Sequence, residues 1–219
     1  LKRQDRVSDI PYFDELINND PQDAVSIYFR GLAHLKQGDA EKANLDFEKA
    51  YSFGFQLNEV RANRAYTRFK LGDTTGSRGE LGTLVDLSPL NALFHAYHAE
   101  FQLNDKAYLQ ALRSTEISID LNPKQGLAHL VQAKILLFLG LEDSAKEALS
   151  TVVGLALPSV NHYIDRADLY KSFGETELAL SDIGHAISLN PDLADSYWTR
   201  GRVNGKLSNF ESSIADFDL

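Results

Sequence analysis

Between Arg30 and Ala50 the chain reads RGLAHLKQGDAEKANLDFEKA, with apolar residues recurring at three- and four-residue steps on either side of Gly38-Asp39. That period, close to 3.6 residues, predicts two amphipathic helices meeting at a turn. The arrangement returns along the chain. Pro89 and Pro123 are 34 residues apart, and Pro21 and Pro191 lie two such steps outside them; Phe55 and Leu157, the latter followed by Pro158, hold the intervening points. A period of this size predicts stacked helix-turn-helix units. Complete units are expected at 24–57, 58–91, 92–125, 126–159 and 160–193, with a partial one at 194–219 and the back half of an earlier one at 1–23, all in one solenoid over 1–219.

Counted within the units, position 8 is Gly31, Ala65, Ala99, Ala133, Ala167 and Gly201, and position 20 is Ala43, Ser77, Ala111, Ala145, Ala179 and Ser213. Residues without bulk at both points let the helices of a pair approach closely, with Phe47, Leu81, Leu149, Ile183 and Phe217 at position 24 filling the space beside them. Position 15 is Gly38, Gly72, Gly140 and Gly174, residues that tolerate the positive φ ending a first helix; Lys106 and Ser208 depart from this. A proline near the end of a unit stops the second helix and starts the next. With small residues at 8 and 20, Gly at 15 and Pro at 32, the chain resembles the tetratricopeptide-repeat family over essentially its whole length. The resemblance implies an all-α fold, a right-handed α-solenoid whose first helices line a concave wall, and a protein-binding role. Unit 58–91 departs from the family's Ala at position 27, carrying Leu84, and has Gly76, Gly79 and Gly82 inside its second helix. At about 1 kcal/mol each relative to Ala, these make that helix the least stable.

At about 100° per residue, positions 2, 5, 6, 9, 12 and 13 of a first helix fall opposite the side that meets its partner. The candidate peptide-binding wall is therefore Tyr28, Phe29, Leu32, Asn63, Tyr66, Phe69 and Tyr97, then Glu100 and Lys134, then Asp165, Asp168, Asp195 and Trp198. An apolar wall that turns acidic predicts a protein or peptide partner with an apolar stretch and a basic flank. A tighter superhelix that buries these residues between neighbouring units is the competing arrangement. The family's carboxylate clamp for chaperone tails is matched only at Asn63, so a ligand of that kind is not expected.

Position 7 is basic in Arg30, Arg64, Arg166 and Arg200, and each has an acid sixteen residues later: Asp46, Glu80, Asp182 and Asp216. The units with His98 and Gln132 there carry Ser114 and Ala148 instead. Charges that come and go together predict ion pairs between the two helices of a unit, because an unpaired guanidinium facing a helix is costly. His34, His95, His98 and His129 fall at positions turned toward the helix pairs and are expected as hydrogen-bonded core histidines rather than metal ligands, although His95 and His98 lie three apart.

The 219 residues are 43% hydrophobic, enough for a sizeable core. With 31 acidic against 22 basic side chains the net charge is −9, which disfavours nucleic acid and anionic membrane surfaces. The chain has no cysteine, which excludes disulfides, thiolate metal sites and cysteine nucleophiles. No apolar run approaches the roughly 20 residues of a membrane span, and LKRQDRVSDIP lacks a secretory core. No nucleophile elbow, phosphate loop or isolated carboxylate pair is present, so no catalytic residue, cofactor or metal is expected. The chain begins without Met and ends within a helical pattern, and is expected to be part of a longer polypeptide. Three function classes remain: a binding scaffold, a self-assembly element with weak association through its C-terminal end, and an accessory module of an enzyme whose catalytic domain lies elsewhere.

Overall fold

The computed structural model describes residues 9–218, and among these residues all regular structure is helical. Residues 1–8 of the expected half unit, and Leu219, lie outside the described residues. Helix α1 (Ile10–Asn19) precedes six helix pairs: α2 (Ala24–Lys36) with α3 (Ala40–Ser52), α4 (Asn58–Lys70) with α5 (Thr74–Leu87), α6 (Ala92–Asn104) with α7 (Tyr108–Leu121), α8 (Gly126–Phe138) with α9 (Glu142–Ser150), α10 (Val160–Ser172) with α11 (Thr176–Leu189), and α12 (Ala194–Lys206) with α13 (Phe210–Phe217). The carboxylates of Asp23, Asp39 and Asp73 cap α2, α3 and α5 by accepting from backbone N–H groups of the first turn. Every turn inside a pair has one residue in the left-handed region: Gly38, Gly72, Gly140 and Gly174, and at the same position Lys106 (φ 60°) and Ser208 (φ 62°). The two non-glycine residues thus obey the turn and carry its steric cost.

Close packing within the pairs follows residue size. Gly31 faces Phe47 and Gly201 faces Phe217; a Cβ would stand 2.7 Å and 2.5 Å from the respective rings. Where the residue of the second helix is Leu81, Leu149 or Ile183, the first helix carries alanine instead, and all six of these side chains are buried. Leu84, in place of the family's Ala, is also fully buried. The four Arg–acid pairs form: Arg30–Asp46, Arg64–Glu80, Arg166–Asp182 and Arg200–Asp216, each with a 2.6 Å contact. In the α6–α7 pair, which lacks them, Ser114 donates to the Gln102 side-chain oxygen at 2.8 Å, and the Gln102 amide lies 3.4 Å from His98.

Successive pairs are joined by a recurring backbone link. His95 Nε2 lies 2.8 Å from the Pro89 carbonyl, His129 Nε2 lies 3.0 Å from that of Pro123, and the Tyr197 hydroxyl donates to Pro191 at 2.8 Å. Two of the expected core histidines thus sit at the junctions between units. The core forms two main clusters that meet at α8, which is buried almost all round, as its nearly unbroken apolar sequence requires. Among the second helices of the five complete units α9 is the short one, with nine residues against thirteen or fourteen in α3, α5, α7 and α11. The remainder of its unit, residues 151–159, is irregular and runs into the concave side.

Candidate functional site

Side chains of the first helices meet from one unit to the next along the concave wall. Tyr97 donates to the Asn63 side-chain oxygen (2.9 Å), and the Asn63 amide donates to Tyr28 (3.1 Å). Tyr66 and Lys70 both donate to Glu100, at 2.9 and 2.8 Å. Further along, Lys134 pairs with Asp165 at 2.5 Å, while Arg202 and Lys171 both bond Asp168. The rings of Tyr66 and Tyr97 stack at 4.0 Å, as do those of Phe69 and Phe101. The wall is a polar and aromatic ladder that fastens each unit to its neighbour.

The ladder decides which expected residues a ligand can reach. Asn63, Tyr66, Tyr97 and Glu100 are buried, so the reading of them as an open wall is corrected: the superhelix is tight enough for neighbouring units to cover them. Tyr28, Phe29, Leu32, Phe69, Lys134, Asp165 and Asp168 are half-buried, and Asp195 and Trp198 are exposed. Lys134 bonds Asp165, and Glu100 bonds Lys70. The acids Asp165 and Asp168 are matched by cations of this chain.

The tightness has a cause that the period of the sequence does not carry. His162, on the first turn of α10, reaches across the superhelix to within 2.9 Å of the Tyr66 hydroxyl and 3.4 Å of Glu100, while its Nδ1 lies 2.8 Å from Ser159 Oγ. Donors and acceptors balance when Nε2 carries the proton and Nδ1 accepts from Ser159. Val160 packs on the turn at Gly38, and Asn190 donates to the Gln37 carbonyl at 2.9 Å, so the first complete pair touches the fifth. Burial opposes the ionisation of Glu100, but Lys70 and His162 outweigh it and hold this carboxyl well below the usual range. Burial pushes the Tyr28 phenol up to about 12, against the lowering hydrogen bond from Asn63, so it remains a neutral partner. Residue 162 lies on neither expected face; the one sequence signal near it is the replacement of the lattice proline by Leu157-Pro158.

What remains open is a cleft of about 390 Å³. Tyr28, Leu32 and Leu35 of α2, Leu93 and Tyr97 of α6 and residues 156–158 line it, together with the polar Lys36, Glu59 and Asn63. Among the described residues no group of three or more His, Asp or Glu side chains is placed to hold a metal ion, and no helix is long and apolar enough to cross a membrane.

Comparison with known proteins places this architecture. A sequence model described as "Tetratricopeptide repeat" matches residues 163–193. The chain is 32% identical over 95 residues to the mitochondrial import receptor subunit TOM70 of Homo sapiens, covering 42% of this chain and 16% of that protein. It is 25% identical over 191 residues to the tetratricopeptide repeat and J domain-containing co-chaperone DNJ1 of Fusarium oxysporum f. sp. lycopersici, covering 87% of this chain and 32% of that one. The chain thus spans at most about a third of the length of these two relatives. Among solved structures, a thermophilic TPR protein of Thermus thermophilus superposes with a TM-score of 0.64 at 22% identity, over 84% of this chain and 98% of that one, which speaks for the fold alone. Six left-handed turns on one register and size-matched helix pairs agree with these comparisons: residues 163–193 match a tetratricopeptide repeat, and the described residues have the fold of a tetratricopeptide-repeat solenoid.

Proposed function

We propose that this chain is a scaffold that holds a segment of another protein on its concave wall, with apolar side chains seated in the cleft lined by α2, α6 and residues 156–158. The observation that supports this reading most is the cleft itself, where apolar groups of two first helices and of the irregular segment converge on one space of about 390 Å³. Filling it removes apolar surface from water at about 25 cal/mol per Å². Tetratricopeptide repeats generally mediate protein–protein interaction, and the two relatives bear the names of an import receptor subunit and a co-chaperone. A basic flank of the partner would meet Asp195, exposed beside Trp198, rather than the already paired Asp165 and Asp168.

The test is capture of partner proteins on the immobilised chain, read by mass spectrometry. Leu32→Glu places a charge in the cleft and abolishes capture, whereas Leu45→Glu, on an exposed position of α3, leaves it intact. Capture that survives the first change and is lost with the second moves the site to the second helices. One observation favours self-association as a second reading: Trp198, Phe210, Ile214 and Phe217 are all exposed on α12 and α13. Sedimentation with a concentration-independent monomer would remove it.

A further inference from the structure

Position 25 of one unit and positions 7 and 23 of the next lie sixteen residues apart, and such sets of three recur along the chain. In two of them a guanidinium is held from both directions: Arg30 between Asp14 (2.8 Å) and Asp46 (2.6 Å), and Arg64 between Glu48 (3.6 Å) and Glu80 (2.6 Å). Ser150, Arg166 and Asp182, like Gly184, Arg200 and Asp216, keep the arginine and its second acid, whereas Gly82, His98 and Ser114 include no acid. One set keeps an acid without an arginine: Glu116, Gln132 and Ala148. These three residues line a cleft of about 360 Å³ between α7, α8 and α9, with Asp120 and Glu147 beside them. No Lys or Arg lines it, and among the described residues the carboxylates of Glu116, Asp120 and Glu147 make no hydrogen bond or ion pair. His129, also on its wall, is already engaged by the Pro123 carbonyl and Thr151, each at 3.0 Å.

We propose that this cleft receives an arginine side chain of a partner protein, whose guanidinium takes the place that Arg30 and Arg64 fill in their own units. Glu116 stands where Asp14 and Glu48 reach those two guanidiniums, so the same position already binds this group twice in the chain. Gln132 and Ala148 leave the space, and Asp120 and Glu147 bring the charge that Asp46 and Glu80 bring elsewhere. Carboxylates converging from two helices suit the planar fork of arginine better than the point charge of lysine. The three acids are exposed, so each pair adds up to about five-fold in affinity. The site shares no residue with the concave cleft and does not depend on the docking reading above.

The probe is the peptide acetyl-Gly-Ala-Arg-Ala-Gly-amide, titrated at low ionic strength and followed by NMR at the Ala148 N–H and the Gln132 side-chain amide. It gives saturable shifts at both; the citrulline peptide, equal in shape but uncharged, gives none, and the lysine peptide binds more weakly. Glu116→Gln, at an exposed position, weakens the arginine peptide by about five-fold. Gln132→Arg fills the cleft from within, abolishes the saturable shift at Ala148 and raises the thermal midpoint, a gain that adding Glu116→Gln removes. No saturable shift, equal binding of the citrulline or the lysine peptide, or binding that survives both substitutions overturns the proposal. Leu32→Glu leaves this titration unchanged, so failure of the arginine site and failure of the concave docking reading are told apart.

Discussion

Helices α11 and α9 close units of equal length, yet α11 runs fourteen residues to Leu189 and α9 stops after nine at Ser150. The first ends at Asn190-Pro191, whose proline carbonyl accepts the Tyr197 hydroxyl. The second gives way to Thr151, Val152 and Val153, whose branched side chains weaken a helix, and then to Gly154 at φ 76°, which turns the chain inward. Leu157 stands where units 58–91, 92–125 and 160–193 have proline and, unlike proline, has an N–H to donate; Tyr163, at the position of Tyr197, accepts it. The repeat therefore conserves the junction between units and not the length of the helix that reaches it. At four junctions a side chain at the fourth position of one unit (His95, His129, Tyr163 or Tyr197) holds the backbone six residues earlier, whether that backbone offers a carbonyl or an amide.

The largest expected difference between the two ends is at their arginines. Arg166 is almost wholly buried and bonds Asp182 as well as the Val152 and Leu155 carbonyls, whereas Arg200, paired to Asp216, keeps a third of its side chain in solvent. Arg166→Leu should destabilise by about 3 kcal/mol or more, because Asp182 is left as a buried, unpaired charge. Adding Asp182→Leu should restore only part, since two loop carbonyls still lack their donor. Arg200→Leu should cost less. A double-mutant cycle by chemical denaturation measures all three, and full recovery in the Arg166 cycle would show that the loop carbonyls find other donors.

Acid should separate the same two regions. The folded-state pKa of Glu100 is depressed, so its contribution is fully present above the ordinary glutamate value of about 4.3 and is lost as pH falls through the folded value. His162 ties α10 to Glu100, so hydrogen exchange at 151–162 should rise on acidification ahead of exchange at 188–191. Glu100→Gln should flatten the acid dependence. A slope unchanged by this substitution would assign it to other carboxylates.

The sequence made the repeat visible because its signals are local and recur: small residues at two positions, a glycine at the turn, an arginine and its acid sixteen residues on. Lys106 and Ser208, which depart from the glycine pattern in the sequence, nevertheless take the same left-handed turn in the structure, against residue type. The concave wall was legible only as a set of residues on one side of a helix. Whether that side faces solvent depends on how far each unit rotates on the last, and the rotation here is fixed by contacts distant in sequence: His162 with Tyr66, Val160 with Gly38, Asn190 with Gln37. No periodicity encodes such pairs. Hence Tyr66 and Tyr97, aromatic at the expected spacing, are stacked and buried.

Helix α5 sharpens the contrast with α9, for it stays helical over fourteen residues although it contains Gly76, Gly79 and Gly82. At Gly79 and Gly82 nothing lies within 4 Å of an added Cβ, and neither needs a left-handed backbone. Gly79→Ala and Gly82→Ala should each stabilise by about 1 kcal/mol, and together by about twice that, through lower backbone entropy in the unfolded chain. Limited proteolysis of the unaltered chain should cut α5 ahead of α3 and α7, and the double variant should lose that preference. Equal protection of all three helices before substitution would mean that packing of Leu81 and Leu84 already outweighs the glycines.

The smallest effect has the opposite sign and tests the break in α9 directly. Gly154 also has open space around a would-be Cβ, so a methyl group added there meets no neighbour. Its φ of 76° makes the difference: alanine pays about 1 kcal/mol or slightly more to hold that conformation. Gly154→Ala should therefore destabilise by about as much as Gly79→Ala stabilises, although the chemical change is identical and neither site is sterically confined. Lys106→Gly is the converse control, since a residue already strained at φ 60° is relieved by glycine and should gain about 1 kcal/mol, less the greater flexibility of the unfolded chain. Thermal or urea unfolding of the three variants side by side gives the signs. If Gly154→Ala stabilises instead, the helix has extended through residue 154, and the inward course of residues 155–158 does not depend on that glycine.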